Sequence, residues 1–254
     1  MKTITINNLS LAYTRRGHGA PLVLIHGYPL DSSIWGEAVP LLEEHFDLII
    51  PDVRGFGGSA TTTDMYTMTD LASDIKSLLD ELDIPSAFVA GHSMGGYLAL
   101  ALAASYPEQV RGLALVSSQT AADAPEGKQK RYDTAKQIAE QGIGVVVEGM
   151  APKLSADARL QTFARELMAK QKPQAYMGTL MAMAEREDTL SMLAMGTFPL
   201  TIVHGDADAL IPVAKAREVA SVASRAHYVE LAGIGHLPML ESPQAVADAL
   251  MNFL

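Results

Sequence analysis

Apolar and polar residues alternate along the first 118 residues in the manner of a parallel β-sheet with crossover helices. Short, continuous apolar runs predict strands that are buried on both faces. These runs span residues 22–25, 48–50, 87–90 and 112–116. Two runs nearer the N-terminus, at residues 3–6 and 9–14, predict an antiparallel pair. Apolar residues at helical spacing over residues 71–82 predict one of the crossover helices.

A second pattern occupies residues 119–197. Helical periodicity dominates this segment, no run in it predicts a strand, and it contains seven methionines. Strand-like runs resume at residues 200–203 and 227–231, and a final helix is predicted from about residue 243. We therefore expect one α/β core, formed by residues 1–118 and 198–254, with residues 119–197 inserted as a helical cap.

Composition narrows the class of protein. The chain has 254 residues, 48% hydrophobic and 19% charged, as in ordinary globular proteins. It contains no cysteine, which excludes disulfides, thiolate metal sites and cysteine nucleophiles. The formal net charge of −10 and the scattered basic residues, densest at residues 128–131, argue against a nucleic-acid partner. No apolar run approaches the roughly 18 residues of a membrane span, and the N-terminus does not resemble a signal peptide. We expect a cytoplasmic protein with no membrane partner.

The pentapeptide Gly91-His92-Ser93-Met94-Gly95 follows a predicted buried strand and precedes a predicted helix. A G-x-S-x-G sequence in this context is typical of a sharp turn that lifts the serine hydroxyl above the end of the strand, beside the positive end of the helix. The glycines allow the flanking chain to pass closely. We therefore predict that Ser93 is the nucleophile of an acyl-transfer hydrolase.

A serine hydroxyl needs a base to remove its proton, and the chain contains seven histidines. His236 stands in a loop after the last predicted strand. Such loops meet at one edge of a parallel sheet, so His236 is the predicted base. His92, beside the serine, and His26 and His204, at strand ends, are weaker candidates. The remaining histidines are predicted to be structural or solvated: His18, His45 and His227.

The base needs a carboxylate partner that fixes its tautomer and stabilises its charged form. The loop after the next-to-last predicted strand offers Asp206 and Asp208, and spacing alone does not decide between them. Two backbone N–H groups are also needed as an oxyanion hole. We predict Met94, which begins the helix after the serine, and Tyr28, because the following Pro29 has no N–H.

Together these elements resemble the α/β-hydrolase superfamily over nearly the whole chain. The matching motifs lie at residues 26–29, 52–59, 91–96, 205–212 and 235–236. The resemblance implies an α/β fold with a mostly parallel eight-stranded sheet, helices on both faces and a helical cap after the sixth strand. It also implies the chain order nucleophile, acid, base, and it selects Asp208 as the acid. A serine at position 93 separates the chain from haloalkane dehalogenases, which attack with a carboxylate.

Within that superfamily, the stretch His26-Gly27-Tyr28-Pro29, followed by Trp35, is similar to small esterases, enol-lactonases and cofactor-free haloperoxidases or perhydrolases. In the last group an aromatic-proline pair is thought to favour peroxide over water. The resemblance therefore implies a perhydrolase side activity associated with Pro29.

We expect a serine hydrolase that cleaves small-molecule carboxylic esters without a metal or cofactor. The cap is expected to supply an apolar pocket, with Met177 and Met181 on one helical face, and Pro29 is a further expected pocket residue. No basic cluster is evident in the cap, which favours neutral esters. An enol-lactonase acting on a carboxylated lactone stays open, with one arginine to hold the carboxylate, such as Arg159, Arg165 or Arg186. A low-turnover small-molecule sensor of the same fold is the alternative from a different class.

Overall fold

The computed structural model describes residues 1–196 and 198–254. The strands are β1 (Lys2–Ile6), β2 (Leu9–Gly17), β3 (Ala20–Ile25), β4 (Phe46–Pro51), β5 (Ala87–His92), β6 (Val110–Val116), β7 (Leu200–Gly205) and β8 (His227–Leu231). Within the described residues they form one eight-stranded sheet of order β1-β2-β4-β3-β5-β6-β7-β8. The pairs β1–β2 and β2–β4 are antiparallel, and the others are parallel. This confirms the predicted sheet.

Helices connect and cover the strands. They are α1 (Val39–Leu42), α2 (Met68–Glu81), α3 (Met94–Ser105), α4 (Pro125–Gln141), α5 (Gly144–Leu154), α6 (Ala158–Ala169), α7 (Pro173–Ala184), α8 (Leu190–Ala194), α9 (Ala214–Val222), α10 (Pro238–Glu241) and α11 (Pro243–Met251). Short 3₁₀ turns occur at Ser32–Trp35 and Pro107–Gln109. Every residue of β5 and β7 is buried, so both faces of the central sheet are covered.

Local sequence explains the crossover helix α2, which was predicted over residues 71–82. Thr67 caps its N-terminus by accepting a hydrogen bond from the backbone N–H of Asp70, whose side chain in turn accepts one from the Thr67 N–H. This reciprocal capping satisfies two N–H groups that have no partner inside the helix. The apolar stripe that begins at Leu71 and Ile75 is buried against the core.

Helices α4 to α8 lie between β6 and β7, where the helical cap was predicted. They pack onto the sheet through a continuous hydrophobic cluster that includes side chains of both parts. The last residue of the predicted cap, Thr197, lies outside the described residues. In the described part of the chain, no helix is both long enough and apolar enough to cross a membrane.

Candidate active site

Ser93 sits on the sharp turn between β5 and α3. Its backbone has φ 51° and ψ −115°, a conformation that is uncommon for a residue with a side chain. The turn is held from below, because the Ser93 N–H donates to the Val116 carbonyl over 2.9 Å. The hydroxyl of Ser118 also donates to the Ser93 carbonyl over 2.7 Å. These bonds keep the strained turn in place and leave the Ser93 side chain on the wall of a cavity.

Two glycines of the pentapeptide are required by space. A Cβ on Gly91 would lie 2.1 Å from the carbonyl oxygen of Gly95. A Cβ on Gly95 would lie 2.5 Å from the Ile25 carbonyl oxygen of β3. Any side chain at either position would push α3 away from the strand ends. The glycines therefore fix how closely the helix approaches the sheet, and with it the height of Ser93.

The structure brings His236 and Asp208 together. His236 Nδ1 lies 2.7 Å from Asp208 Oδ2, and both side chains are almost fully buried. The other carboxylate oxygen of Asp208 accepts backbone N–H groups of Leu210 and Ile211 at 2.8 and 2.9 Å. Burial alone would raise the pKa of Asp208, but the imidazoles of His204 and His236 and the Ile211 amide outweigh it and lower the pKa. Asp208 is therefore a carboxylate that orients the His236 ring.

Asp206 has a different partner. Its side chain is exposed and accepts the backbone N–H of Gly233 over 2.6 Å. Asp206 therefore stabilises the turn that follows β8. It does not contact His236, although it lies only two positions before Asp208 in the sequence. Of the two aspartates that the spacing left open, Asp208 is the one that contacts His236.

Two further buried histidines support this pair, a role that the sequence did not reveal. His92 Nε2 lies 2.8 Å from the carbonyl oxygen of His236, to which it donates a hydrogen bond, and the two rings lie 4.8 Å apart. Burial, and next the neighbouring His236, hold the pKa of His92 well below its ordinary value. His204 Nε2 lies 2.8 Å from the Ile211 carbonyl oxygen and 3.4 Å from Asp208 Oδ2. In the sequence, the only indication of this supporting role is that His92 and His204 stand at the ends of predicted strands.

The third weaker candidate, His26, faces the core. Its Nε2 accepts the backbone N–H of Val53 over 2.9 Å, and its Nδ1 lies 2.9 Å from the Gly27 carbonyl oxygen. With both nitrogens engaged, His26 ties the loop after β3 to the loop after β4. The loop after β3 is the one that carries Tyr28, which lines the cavity beside Ser93 and His236.

A comparison with known proteins places these elements in a family. A family model described as the alpha/beta hydrolase fold matches residues 20–146. The chain belongs to the α/β-hydrolase family. Its solved relatives include a thermophilic esterase from Thermogutta terrifontis with malate bound, which is 30% identical with a TM-score of 0.94 over 99% of this chain and 97% of that one.

Two other relatives of this α/β-hydrolase differ in their chemistry. The enol-lactonase from Burkholderia xenovorans LB400 is 25% identical, with a TM-score of 0.90 over 99% of both chains. The dihydrolipoyllysine-residue acetyltransferase component of the acetoin cleaving system from Pseudomonas putida is 30% identical over 93% of this chain, which covers 64% of that protein's length. The predicted superfamily and its branch of esterases and lactonases are confirmed.

The cavity of this α/β-hydrolase has a volume of about 450 Å³, and Ser93, His236 and Tyr28 lie on its wall. Met94 is the first residue of α3, so its N–H has no partner inside the helix. Pro29, which follows Tyr28 through a cis peptide bond, is not among the described residues that line the cavity.

The predicted methionine lining needs correction. Met177 and Met181 do not line the cavity in the described structure; they are partly buried and pack against the hydrophobic core. Met150 of α5 and Met183 of α7 line it instead. Residues 177 and 181 do share a helical face, but α7 turns a neighbouring face toward the cavity.

Two of the inserted helices that line the cavity, α4 and α5, have different chemical character. From α4 come residues at helical spacing that are mostly polar: Gly127, Lys130, Arg131, Thr134 and Gln137. From α5 comes a mainly apolar stripe: Val145, Val146, Gly149, Met150 and Lys153. The expectation that the cap contains no basic cluster was therefore wrong, because three basic side chains line the cavity together with a single acidic one, Asp123, among the described residues.

The arginines first considered for carboxylate binding lie elsewhere. Arg159 is 91% exposed and pairs with Asp157. Arg165 pairs with Glu148 over 3.5 Å. Arg186 is buried behind the cavity, where it contacts Asp123 over 2.7 Å. Among residues 1–196 and 198–254, no group of three or more metal-ligating side chains is arranged to hold a metal ion.

Proposed function

We propose that this α/β-hydrolase is a serine carboxylesterase that cleaves small-molecule esters through an acyl-enzyme on Ser93. The observation that carries the proposal is the buried contact of 2.7 Å between His236 and Asp208, together with the position of Ser93 and His236 on one cavity wall. A nucleophile, a base and a carboxylate that orients the base are the three groups that ester cleavage by a serine needs.

The tautomer of His236 follows from its partner. Asp208 accepts the hydrogen at Nδ1, so Nε2 is the nitrogen that is free to take a proton. As the Ser93 hydroxyl attacks the ester carbonyl carbon, its proton passes to Nε2 and the electron pair of the C=O bond moves onto oxygen. The backbone N–H groups of Tyr28 and Met94 stabilise this oxyanion. Collapse of the intermediate breaks the ester C–O bond, and the leaving alcohol takes the proton from His236.

Water completes the cycle by the same route. His236 removes a proton from a water molecule, which attacks the acyl carbon bound to Ser93. The second tetrahedral intermediate releases the carboxylic acid and returns the proton to Ser93. The net reaction consumes one ester and one water and gives one acid and one alcohol, so it needs no redox partner.

We assign the cap role to residues 119–197. Support comes from the helices α4, α5 and α7, which contribute most of the cavity lining above Ser93. In this arrangement the core supplies the reacting groups and the cap sets which esters fit.

A second candidate is an enol-lactonase that acts on a carboxylated lactone. The chemistry is the same, except that the leaving alcohol stays attached to the acyl group. The basic residues of the cavity wall favour the lactonase function, since a carboxylate needs cationic or N–H partners once it leaves water. These residues are Lys130, Arg131 and Lys153. The similar enol-lactonase from Burkholderia xenovorans LB400 supports it as well.

The test is the replacement Ser93→Ala, assayed with p-nitrophenyl butyrate. We expect kcat to fall at least about a thousandfold, because the remaining groups supply only binding and oxyanion stabilisation. Labelling with a p-nitrophenyl phosphonate should add one adduct to the wild-type protein, at Ser93. Ser105→Ala, at the exposed end of the same helix, is the matched control and should behave as wild type.

Retained turnover in Ser93→Ala, with an unchanged circular dichroism spectrum, would contradict the proposal. Many turnovers per site in the wild type separate an enzyme from a low-turnover sensor, which would stop after one acylation.

A further inference from the structure

The polar wall of the cavity is cationic, although the protein as a whole is anionic. The formal net charge of the chain is −10. The cavity nevertheless contains Lys130, Arg131 and Lys153 against Asp123 alone among the charged side chains described on its wall. In the described residues, neither lysine forms a salt bridge. A low-dielectric cleft lined by one sign of charge concentrates ligands of the opposite sign.

Hydrogen bonds hold the Arg131 guanidinium in place and leave some of its N–H donors without a partner among the described residues. Its Nε–H donates to Asp123. Nη2 donates one hydrogen to Asp123 Oδ1 over 3.5 Å, and Nη1 donates one to Met183 Sδ over 3.5 Å. A guanidinium has five N–H donors. Two of them, one on each Nη nitrogen, therefore have no partner among residues 1–196 and 198–254. The Arg131 side chain is only 23% exposed, so an anion bound to it would be partly desolvated.

The carboxylate of Asp123 does not cancel this charge, because it is shared. Arg186 Nη2 lies 2.7 Å from Asp123 Oδ1, and the Arg186 guanidinium sits 4.2 Å from the ring centre of Tyr97. Burial acts to raise the pKa of Asp123, but the hydrogen bonds from both arginines outweigh it and lower the pKa. One carboxylate between two guanidinium groups leaves a net positive charge beside the cavity.

Tyr28 adds a neutral donor, its hydroxyl, to the residues that line the cavity. Tyr28 lines the cavity with Ser93, is 6% exposed, and its hydroxyl has no hydrogen-bond partner among the described residues. A buried hydroxyl without a partner costs stability, which a bound acceptor would recover. Burial raises the pKa of Tyr28 well above its ordinary value, so its hydroxyl keeps the proton that it can donate.

We propose that the ester or lactone cleaved at Ser93 carries a carboxylate remote from the scissile bond, which Arg131 binds with help from Lys130, Lys153 and the Tyr28 hydroxyl. The apolar residues that α5 contributes to the same cavity, Val145, Val146 and Met150, would contact the carbon chain between the two ends. The inference rests on the proposed esterase function and names its substrate class. It replaces the expectation of neutral esters.

Two matched pairs of substrates test this, each differing only by a carboxylate against a neutral amide. The acyl pair is monomethyl adipate and methyl 6-amino-6-oxohexanoate. The alcohol pair is 4-acetoxybutanoate and 4-acetoxybutanamide. We expect kcat/KM in the wild type to favour the carboxylate by about tenfold in at least one pair, the factor that a charge-assisted hydrogen bond is worth. The pair that shows the preference tells which part of the substrate carries the charge.

Variants then assign the preference to residues. In Arg131→Gln the ratio of kcat/KM for the carboxylate substrate to kcat/KM for the amide substrate should fall about tenfold. In Lys130→Gln the same ratio should fall less, because Lys130 is exposed. Arg159→Gln removes a cap arginine that does not line the cavity and should leave the ratio as in the wild type. Added sodium chloride should lower the wild-type ratio by screening.

The ratio separates this inference from the proposed function. The carboxylate site alone would be overturned if kcat/KM were equal for both members of both pairs while Ser93 was still labelled and the ester bonds of the amide-bearing substrates were still cleaved. An unchanged ratio in both Arg131→Gln and Lys130→Gln would do the same. Failure of Ser93 to acylate would instead overturn the esterase itself.

Discussion

At the level of single residues, the charge of Asp208 is the feature on which the site depends. Its two oxygens are engaged by His236 and by the backbone N–H groups of Leu210 and Ile211, all within 3 Å. Folding lowers its pKa, so the ionised form stabilises the fold at pH values above the ordinary carboxyl pKa of about 4. That contribution is lost as the pH falls toward the folded-state pKa. Stability, and in the proposed mechanism catalysis, therefore both rely on the same ionised carboxylate.

The first prediction compares Asp208→Asn with Asp206→Asn. An amide at position 208 donates where the carboxylate accepts, so His236 would turn to the wrong tautomer and kcat should fall about a thousandfold or more. At position 206 the change affects the exposed hydrogen bond to Gly233, and kcat should change no more than a few-fold. Steady-state kinetics with p-nitrophenyl butyrate measure both. A larger loss at 206 than at 208 would show that the acid is wrongly assigned.

At the level of helices and strands, the distance between α3 and the sheet is set by glycine. Gly95 stands against the carbonyl oxygens of Ile25 and His26, at 2.5 and 2.7 Å from the position of a Cβ. These are backbone atoms of a central strand and the residue after it, which cannot rotate away as a side chain can. The nucleophile turn and the loop carrying Tyr28 are therefore positioned against each other by direct backbone contact.

The same substitution at two glycines makes the second prediction. Gly95→Ala should destabilise the protein by about 3 kcal/mol or more and abolish ester hydrolysis, because α3 must move. Gly149→Ala in α5, where an added Cβ meets nothing within 4 Å, should stabilise the fold by about 0.5–1 kcal/mol. Urea unfolding monitored by circular dichroism measures both. Wild-type stability and activity in Gly95→Ala would disprove the close approach.

Elements that depend on local pattern were predictable from the sequence. Apolar runs predict the buried strands, and the polar and glycine residues that end these runs predict the turn at Ser93 and the loop with His236. The wall formed by α4 was not predictable, since periodicity shows that a helix has two faces but not which one borders a cavity. The α4 side chains Ala135 and Ile138 are buried, and α4 packs against α7, so its polar face is left toward Ser93. For the same reason, Met177 and Met181 could not be placed.

For the molecule as a whole, the inserted helices are bound to the core by buried polar contacts as well as by apolar packing. The Tyr66 hydroxyl, in the loop before α2, lies 2.8 Å from the Thr179 hydroxyl of α7. The backbone N–H of His236 donates to the carbonyl of Leu154, the last residue of α5. Gln171, between α6 and α7, accepts the Gly57 N–H over 2.8 Å. The proposed base is thus partly held by the proposed cap.

This coupling predicts that core and cap unfold together. The only tryptophan, Trp35, is fully buried near the sheet, so its fluorescence reports on the core. Circular dichroism at the helical band reports largely on the helices, many of which belong to the insertion. With a shared hydrophobic cluster and shared polar contacts, the two signals should follow one urea transition.

Tyr66→Phe sharpens the test, because it removes one of these contacts and leaves the buried Thr179 hydroxyl without its partner. Both signals should shift by the same amount, equivalent to about 1–2 kcal/mol. Tyr132→Phe removes a hydroxyl that contacts Glu185 on the exposed surface of the inserted helices, and it should shift neither signal appreciably. A dichroism transition that precedes the Trp35 transition, in the wild type or in Tyr66→Phe alone, would show that the insertion unfolds as a separate unit. In that event the Leu154 carbonyl would release the His236 amide before the sheet opens, and ester hydrolysis would be lost at the earlier transition.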